Sequence, residues 1–134
     1  VIPYVLLASA PILIISHRLN LLSAGEEEAS ALGVNPKSTL TAFFLLSSFL
    51  TASIVSRCGV IGFVGLIIPH LVRTSFGPDA RLLLPVSGIA GASFLVLSDI
   101  IARTILSPSE IPIGVITAFF GAPFFLYLLK WKRK

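Results

Sequence analysis

Charged side chains are scarce in this chain of 134 residues, where they make up 12% of the sequence and only six are acidic. Hydrophobic residues make up 55%, and the mean hydropathy is +0.98. A soluble globular domain has about a quarter of its residues charged, because its surface faces water. The composition therefore excludes an ordinary soluble domain and predicts a membrane protein.

Cysteine and histidine are nearly absent as well. The single cysteine, Cys58, excludes an internal disulfide and a cysteine metal cluster, and we interpret it as a small packing residue. His17 and His70 lie in separate segments with no ligand spacing, so we predict no metal site.

The sequence has no G-x-x-x-x-G-K-[ST], H-E-x-x-H, C-x-x-C or G-x-S-x-G motif. We therefore predict that the chain is not an enzyme and binds no cofactor directly. The net charge of +4 would suggest nucleic acid only if the cations formed a basic face, but they stand singly at the ends of apolar runs. We predict no nucleic-acid partner.

Long apolar stretches make up most of the sequence. A helix needs about 20 residues to cross the hydrocarbon core, and five candidates follow one another. The third is short and rich in glycine. The sequence predicts an all-α, polytopic transmembrane helix bundle, with one domain over 1–134 and spans at about 1–16, 38–56, 58–72, 82–102 and 111–129.

The positive charges between these stretches are unevenly divided. Arg57 and Arg103 fall on one side, and eight cations fall on the other: Arg18, Lys37, Arg73, Arg81, Lys130, Lys132, Arg133 and Lys134. By the positive-inside rule the crowded side, with the C-terminus, is cytoplasmic, and lipid surrounds the bundle. Five spans ending inside place the start outside. Because no basic segment precedes the first stretch, we expect an earlier span, in a larger permease of which this chain is the C-terminal portion.

A polar segment between the first two stretches predicts a short cytoplasmic helix over 24–32. Ser23 and Glu26 have the spacing of a capping box, and Glu26, Glu27 and Glu28 put negative charge in the first turn, where the helix dipole favours it. Gly33 suits a left-handed C-terminal cap, and the following Asn-Pro pair stops the helix.

Glycine and proline inside spans indicate close helix contact or a break, because lipid offers no hydrogen bonds to free backbone groups. In the third span Gly59, Gly62 and Gly65 predict a bare stripe facing protein. The other positions predicted to serve helix packing or gating are Pro69 in the third span, Gly88 and Gly91 in the fourth, and Gly121 and Pro123 in the fifth.

Four ordered strings cover nearly the whole chain: GEEEASALG (25–33), GVIGFVGLIIPHLVR (59–73), LLLPVSGIAGASFLVLSDIIAR (82–103) and EIPIGVITAFFGAPFFLYLL (110–129). Together they resemble the permeases of the iron-siderophore, haem and vitamin B12 ABC importers of prokaryotes. The resemblance implies the last five of about ten spans in the cytoplasmic (inner) membrane. It also implies a homodimer or pseudo-dimer of permeases, two cytoplasmic ATPase subunits that bind the ATP, and an external substrate-binding protein.

The same resemblance gives the short helix a role. Glu27, Ala29 and Gly33 follow the E-x-A-x-x-x-G spacing of the loop that inserts into the ATPase. We therefore expect Glu26, Glu27, Glu28, Ala29 and Gly33 to form the coupling helix. The alternative is that the glutamates only keep a loop in solution.

Arginines on the external surface pair with binding-protein glutamates in this family, which implies a docking role for Arg103 and a weaker one for Arg57. The alternative for Arg103 is a local pair with Asp99, four residues earlier on the same helix face. For Asp99 that pair is the favoured interpretation, and for Glu110 a cap of the fifth span.

Two other functions remain open from the residues alone. One is an ion-coupled secondary transporter in which Asp99 or Glu110 takes up a proton. The other is a purely structural membrane subunit.

Overall fold

The computed structural model describes residues 2–105, 107–109 and 111–133, and the regular secondary structure of this part of the chain is entirely α-helical. Four of the helices are long and apolar enough to cross a membrane, and a fifth apolar helix is shorter. The predicted fold class is confirmed. The helices are α1 (Ile2–Ala24), α2 (Glu26–Ala31), α3 (Pro36–Cys58), α4 (Val64–Phe76), α5 (Ala80–Ile105) and α6 (Ile113–Lys132).

The first helix is longer than predicted. The apolar run ends near Ser16, but α1 continues past His17 and Arg18 to Ala24. A helix keeps its own backbone hydrogen bonds when it leaves the lipid, so the loss of hydropathy marks the edge of the apolar run and not the end of the helix. This extension places the end of α1 directly beside α2.

The third predicted span is wrong as a continuous helix. Gly59 caps the end of α3, and its N–H donates to the carbonyl of Val55 at 2.9 Å. Residues 59–63 are not helical, and α4 begins only at Val64. At about 1.5 Å per residue the 13 residues of α4 extend only about 20 Å, less than the roughly 30 Å hydrocarbon core. α4 alone is therefore too short for a complete transmembrane span.

The helices pack in two groups. One group contains α1, α2 and α3, where α1 packs along α3 and α2 lies against both. The other contains α4, α5 and α6, which all contact one another. Among the described residues, the substantial contact between the groups is made by α1 and α5. The α1–α5 contact therefore joins the two halves of the bundle.

Both ends of the bundle can be identified from contacts. At one end Asn20 near the end of α1 bonds to Asp79 before α5, and α2 leads into α3. At the other end Arg57 of α3 and Arg103 of α5 line one cavity with the start of α6. The two predicted groups of cations thus lie at opposite ends, with Lys134 outside the described residues.

Four hydroxyl side chains on α3 form hydrogen bonds within the helix itself. The hydroxyls of Thr41, Thr51 and Ser53 each donate to the carbonyl four residues earlier at 2.8 Å, and that of Ser56 donates to Ser53 at 3.0 Å. These polar groups need no partner on another helix. By contrast Cys58, at the end of α3, is exposed, so its prediction as a packing residue is wrong.

Candidate functional site

The short helix α2 begins differently from the prediction. Its N-cap is Gly25, with φ +148° and no side-chain cap bond, while Ser23 belongs to α1 and donates to the carbonyl of Asn20 at 2.7 Å. The capping box of Ser23 and Glu26 is therefore wrong, because α1 runs on through the predicted cap. The prediction that three glutamates occupy the first turn is confirmed.

The end of α2 matches the prediction. Gly33 has φ +80°, and its N–H donates to the carbonyl of Ser30 at 3.1 Å. The N–H of Val34 donates to the carbonyl of Ala29 at 2.9 Å. This pair of bonds is the Schellman motif, in which the residue after the cap takes the left-handed conformation that suits glycine. The motif fixes both the length of α2 and the direction in which the chain leaves it.

The side chains of α2 divide into an exposed set and an inner one. Glu26, Glu27 and Glu28 are exposed, whereas Ala29 is 0% exposed. α2 packs on α1 and on the start of α3, so the methyl group of Ala29 fits where a longer side chain would push the helix away. The glutamates therefore stand on a short helix that is seated against two spans.

The C-terminal end of α2 is followed closely by the capped start of α3. Asn35 is the N-cap of α3, and its side chain accepts from the N–H of Ser38 at 3.3 Å, with Pro36 at the first helical position. The predicted stop after Gly33 is thus also the start of the next helix. Only three residues separate the cap of α2 at Leu32 from α3.

At the opposite end the structure brings the two predicted docking arginines together. Arg57 and Arg103, 46 positions apart in sequence, line one cavity of about 430 Å³ with Cys58, Asp99, Ala102, Ile111 and Ile113. The Nε of Arg103 donates to Oδ2 of Asp99 at 2.9 Å, so the alternative local pair is present. The Arg103 side chain is still 72% exposed, which leaves its other donors accessible. Glu110 lies outside the described residues.

The non-helical segment 59–63 packs on a face of α6 made of small residues. A Cβ added at Gly121 would lie 2.2 Å from the Cβ of Phe63, and one added at Gly114 would lie 2.1 Å from the carbonyl oxygen of Val60. Thr117 lies between these glycines on the same face and is fully buried. Phe63 itself has φ +63°, an uncommon conformation for a bulky residue. Gly121 is thus a packing position, as predicted.

The predicted glycine stripe is wrong as a helical surface. Gly59 and Gly62 precede α4, and only Gly65 lies within it. None of the three has an atom within 4 Å of an added Cβ among the described residues. Of the two meanings that glycines in a span can have, the structure shows a break at Gly59 and Gly62.

Packing at the remaining predicted glycines is mixed. In α5, an added Cβ at Gly91 would meet Val64 Cγ1 of α4 at 4.0 Å, while Gly88 has no such neighbour. Pro69 lies inside α4 and Pro123 inside α6. Close approach is therefore seen at Gly121, Gly91 has only ordinary van der Waals space beside it, and the gating role stays a prediction.

Sequence reasoning missed a group of polar side chains that links α1 to the start of α5. We call Asn20, Asp79, His17 and Arg81 the α1–α5 polar cluster. Asn20 Nδ2 donates to Asp79 Oδ1 at 2.6 Å, and the N–H of Ala80 donates to Asn20 Oδ1 at 2.8 Å. The guanidinium of Arg81 also bonds to Nδ1 of His17.

Asp79 has a second role in the α1–α5 polar cluster. Its Oδ1 accepts from the N–H of Arg81 at 3.0 Å, in the first turn of α5. The hydrogen bond from the Asn20 side chain, then the one from the Arg81 backbone, lower the pKa of the Asp79 carboxyl below its usual 3.8. An aspartate directly before a predicted span was a signal for a helix cap. Nothing local indicated its partner Asn20, 59 positions away.

Fold and sites together define a class: a multi-pass membrane protein whose spans are joined at one end by a capped acidic helix. Comparison with known proteins places it within that class. Residues 1–131 match the model of the FecCD transport family, and the chain belongs to this family. The resemblance drawn from the four strings is confirmed.

Several relatives are similar over most of this chain. It is 50% identical over 129 residues to the cobalamin import system permease protein BtuC of Halobacterium salinarum, covering 96% of this chain and 34% of that protein. It is 44% identical over 119 residues to the hemin transport system permease protein HmuU of Yersinia pestis, covering 89% and 36%. The Fe(3+) dicitrate transport system permease protein FecD of Escherichia coli is 45% identical over 111 residues, covering 83% and 35%.

A solved structure shares the fold. It is an ABC transporter assigned to the metal-chelate type, in an inward-facing conformation, with a TM-score of 0.81 and 47% identity. The match covers 93% of this chain and 40% of that one. The chain spans about a third of the length of the curated relatives it matches.

Proposed function

We propose that this chain is part of the transmembrane subunit of a binding-protein-dependent ABC importer, which moves an iron-siderophore, haem or cobalamin into the cell. The observation that carries the proposal is the seating of α2 between two spans. Its glutamates are exposed while Ala29 is fully buried against the bundle. The names of the relatives, which handle cobalamin, hemin and ferric citrate, support the cargo class.

In this mechanism α2 receives the movement of a cytoplasmic ATPase subunit. The Schellman bonds at Gly33 and the N-cap at Asn35 hold α2 at a fixed position relative to α1 and α3. A push on the exposed face of α2 is then passed to two spans instead of being absorbed by a flexible loop. Glu26, Glu27, Glu28, Ala29 and Gly33 are the proposed coupling residues, and ATP is bound and hydrolysed on the partner.

The opposite end serves the external binding protein. Arg57 and Arg103 lie at one cavity with Asp99, and the exposed part of Arg103 is available to a carboxylate of the docked partner. This arrangement requires the end with Arg57 and Arg103 to be external and the end with α2 and the C-terminus to be cytoplasmic, as the positive-inside rule predicts. A second copy of the permease completes the pathway.

Coupling is tested by the double variant Glu27→Ala with Gly33→Ala in the complete transporter. Alanine at Gly33 would have to adopt φ +80°, at a cost of about 1–2 kcal/mol, so both the charge and the cap are lost. We expect normal membrane insertion, reduced co-purification of the ATPase and loss of ATP-driven uptake in proteoliposomes.

The matched control is Ser30→Ala, also on the exposed side of α2, whose hydroxyl donates only to the carbonyl of Glu26. It should behave like the unmodified transporter. Normal ATPase binding and stimulated hydrolysis in the double variant would count against the coupling role.

Orientation is tested by labelling. With Cys58 replaced by serine, Ser30→Cys should react with a membrane-impermeant maleimide only from the cytoplasmic face. Reaction from outside in intact cells would reverse the proposed topology.

A further inference from the structure

The two groups of helices meet along α1 and α5, and the α1–α5 polar cluster lies at the end of this contact nearest α2. Asn20 precedes Gly25, the cap of α2, by only five residues. A force applied to α2 therefore reaches the end of α1 as well as the start of α3. To move α4, α5 and α6, it must then cross from α1 to α5.

Side-chain hydrogen bonds between two helices are confined to this place in the described part of the chain. The hydroxyls of Thr41, Thr51 and Ser53 bond within α3, and Arg103 bonds to Asp99 on the same helix. Elsewhere the described helices contact one another by packing, which is attractive but has no preferred direction. The α1–α5 polar cluster therefore adds directional hydrogen bonds to a helix–helix contact that is otherwise made by packing alone.

The Asn20 side chain makes two hydrogen bonds across the α1–α5 contact. The Asn20 amide donates to the carboxylate of Asp79 and accepts from the N–H of Ala80, so both functions of its side chain are used. A carboxylate can only accept and a backbone N–H can only donate, which fixes the orientation of the amide. Moving α1 relative to α5 would break both bonds together.

A second contact comes from the same face of α1. His17 is three residues before Asn20, so the two side chains project to the same side of the helix. His17 Nδ1 bonds to the guanidinium of Arg81, whose own N–H is held by Asp79. Three bonds thus join the last turns of α1 to the residues that open α5.

We propose that Asn20 and Asp79 are positioning residues for coupling, which make α5 follow the movement of α1 and α2 during the ATP cycle. The inference rests on the proposed importer function and adds the route by which movement crosses between the two groups of helices. The inference predicts that α2 and α5 move as one unit while the Asn20–Asp79 and Asn20–Ala80 hydrogen bonds are intact.

Exchanging the two residues provides the test in the complete transporter with its ATPase and binding protein. Asn20→Asp places two carboxylates together, leaves Asp79 without its donor and should lower substrate moved per ATP hydrolysed by about threefold or more, since a hydrogen bond to a charged group is lost. Adding Asp79→Asn restores a donor and an acceptor with the same spacing. The double exchange should recover most of the ratio.

The control is Ser23→Ala, one turn from Asn20, whose hydroxyl donates only to the carbonyl of Asn20 within α1. It should leave the ratio unchanged. If Asn20→Asp alone does not assemble, the double exchange should still assemble and transport, and a double exchange that stays defective overturns the inference.

A distance measurement separates transmission from simple stabilisation. Spin labels at Ser30→Cys on α2 and Thr104→Cys near the end of α5, with Cys58 replaced by serine, should keep one separation with and without nucleotide. In Asn20→Asp the separation should change when nucleotide binds.

An unchanged separation in every variant, together with an unchanged transport ratio, overturns the inference and leaves the proposed function standing. Failure of the unmodified transporter to show ATP-driven uptake overturns the proposed function and with it the inference.

Discussion

The contact between Phe63 and Gly121 gives a prediction whose size can be worked from the structure. In Gly121→Ala the new methyl carbon would lie 2.2 Å from Cβ, 2.5 Å from Cγ and 3.0 Å from Cδ2 of Phe63. Carbon atoms prefer a separation of about 3.5–4.0 Å, so the segment or α6 must move by about 1 Å or more. Rotation of the Phe63 ring cannot relieve the contact, because Cβ is attached directly to the backbone.

The expected free-energy change combines two opposing terms. Overpacking typically costs about 1–3 kcal/mol, and the higher end applies where backbone must shift. Replacing glycine by alanine inside a helix returns about 0.5–1 kcal/mol. We expect Gly121→Ala to lower the free energy of unfolding by about 2–2.5 kcal/mol. Gly88→Ala, in α5, meets no described atom within 4 Å and should show only the favourable helix term.

A double-mutant cycle in the complete permease tests the reasoning. Phe63→Gly removes the Cβ that obstructs the alanine and suits φ +63°, although it loses the ring that lies 6.4 Å from that of Phe125. The double variant should therefore be more stable than the sum of the single effects predicts, by about 1 kcal/mol or more. Thermal unfolding in detergent measures all four proteins. Additive effects, or a Gly121→Ala variant as stable as the unmodified permease, would refute the contact.

Three further predictions concern the ends of the helices. Asp99→Ala should change stability by only about 0.3–0.5 kcal/mol in the same unfolding assay, because the pair with Arg103 is exposed. Arg103→Ala should instead weaken binding of the external partner in a pull-down, and equal binding would assign Arg103 to the local pair alone. Asn35→Ala removes the side-chain cap of α3 and should destabilise the permease by about 0.5–1 kcal/mol, and no change would mean that the 3.3 Å bond contributes nothing.

The features that could be predicted from the sequence depend on residues close together in the chain. The first-turn glutamates of α2 and the cap at Gly33 follow from rules that involve residues within one turn of each other. The division of cations between two ends follows from apolar runs of sufficient length. These features need no knowledge of which helix lies beside which.

The failures share a different cause. The break at residues 59–63 is invisible to hydropathy, since Val60, Ile61 and Phe63 are as apolar as a helix would be. The positive φ of Phe63 has no signal in its residue type, and depends on the room that Gly121 leaves in α6. Asn20 and Asp79 each looked like an ordinary polar residue near a span end, because only the tertiary fold brings them together.

The hydrogen bonds that four hydroxyl groups of α3 make within the helix affect how α3 responds to its surroundings. Since Thr41, Thr51, Ser53 and Ser56 each satisfy their hydrogen with a carbonyl of α3 itself, the surroundings of this helix can change from lipid to water without any bond being exchanged. If the proposed import function holds, such a helix suits a wall that is wetted and dried in turn.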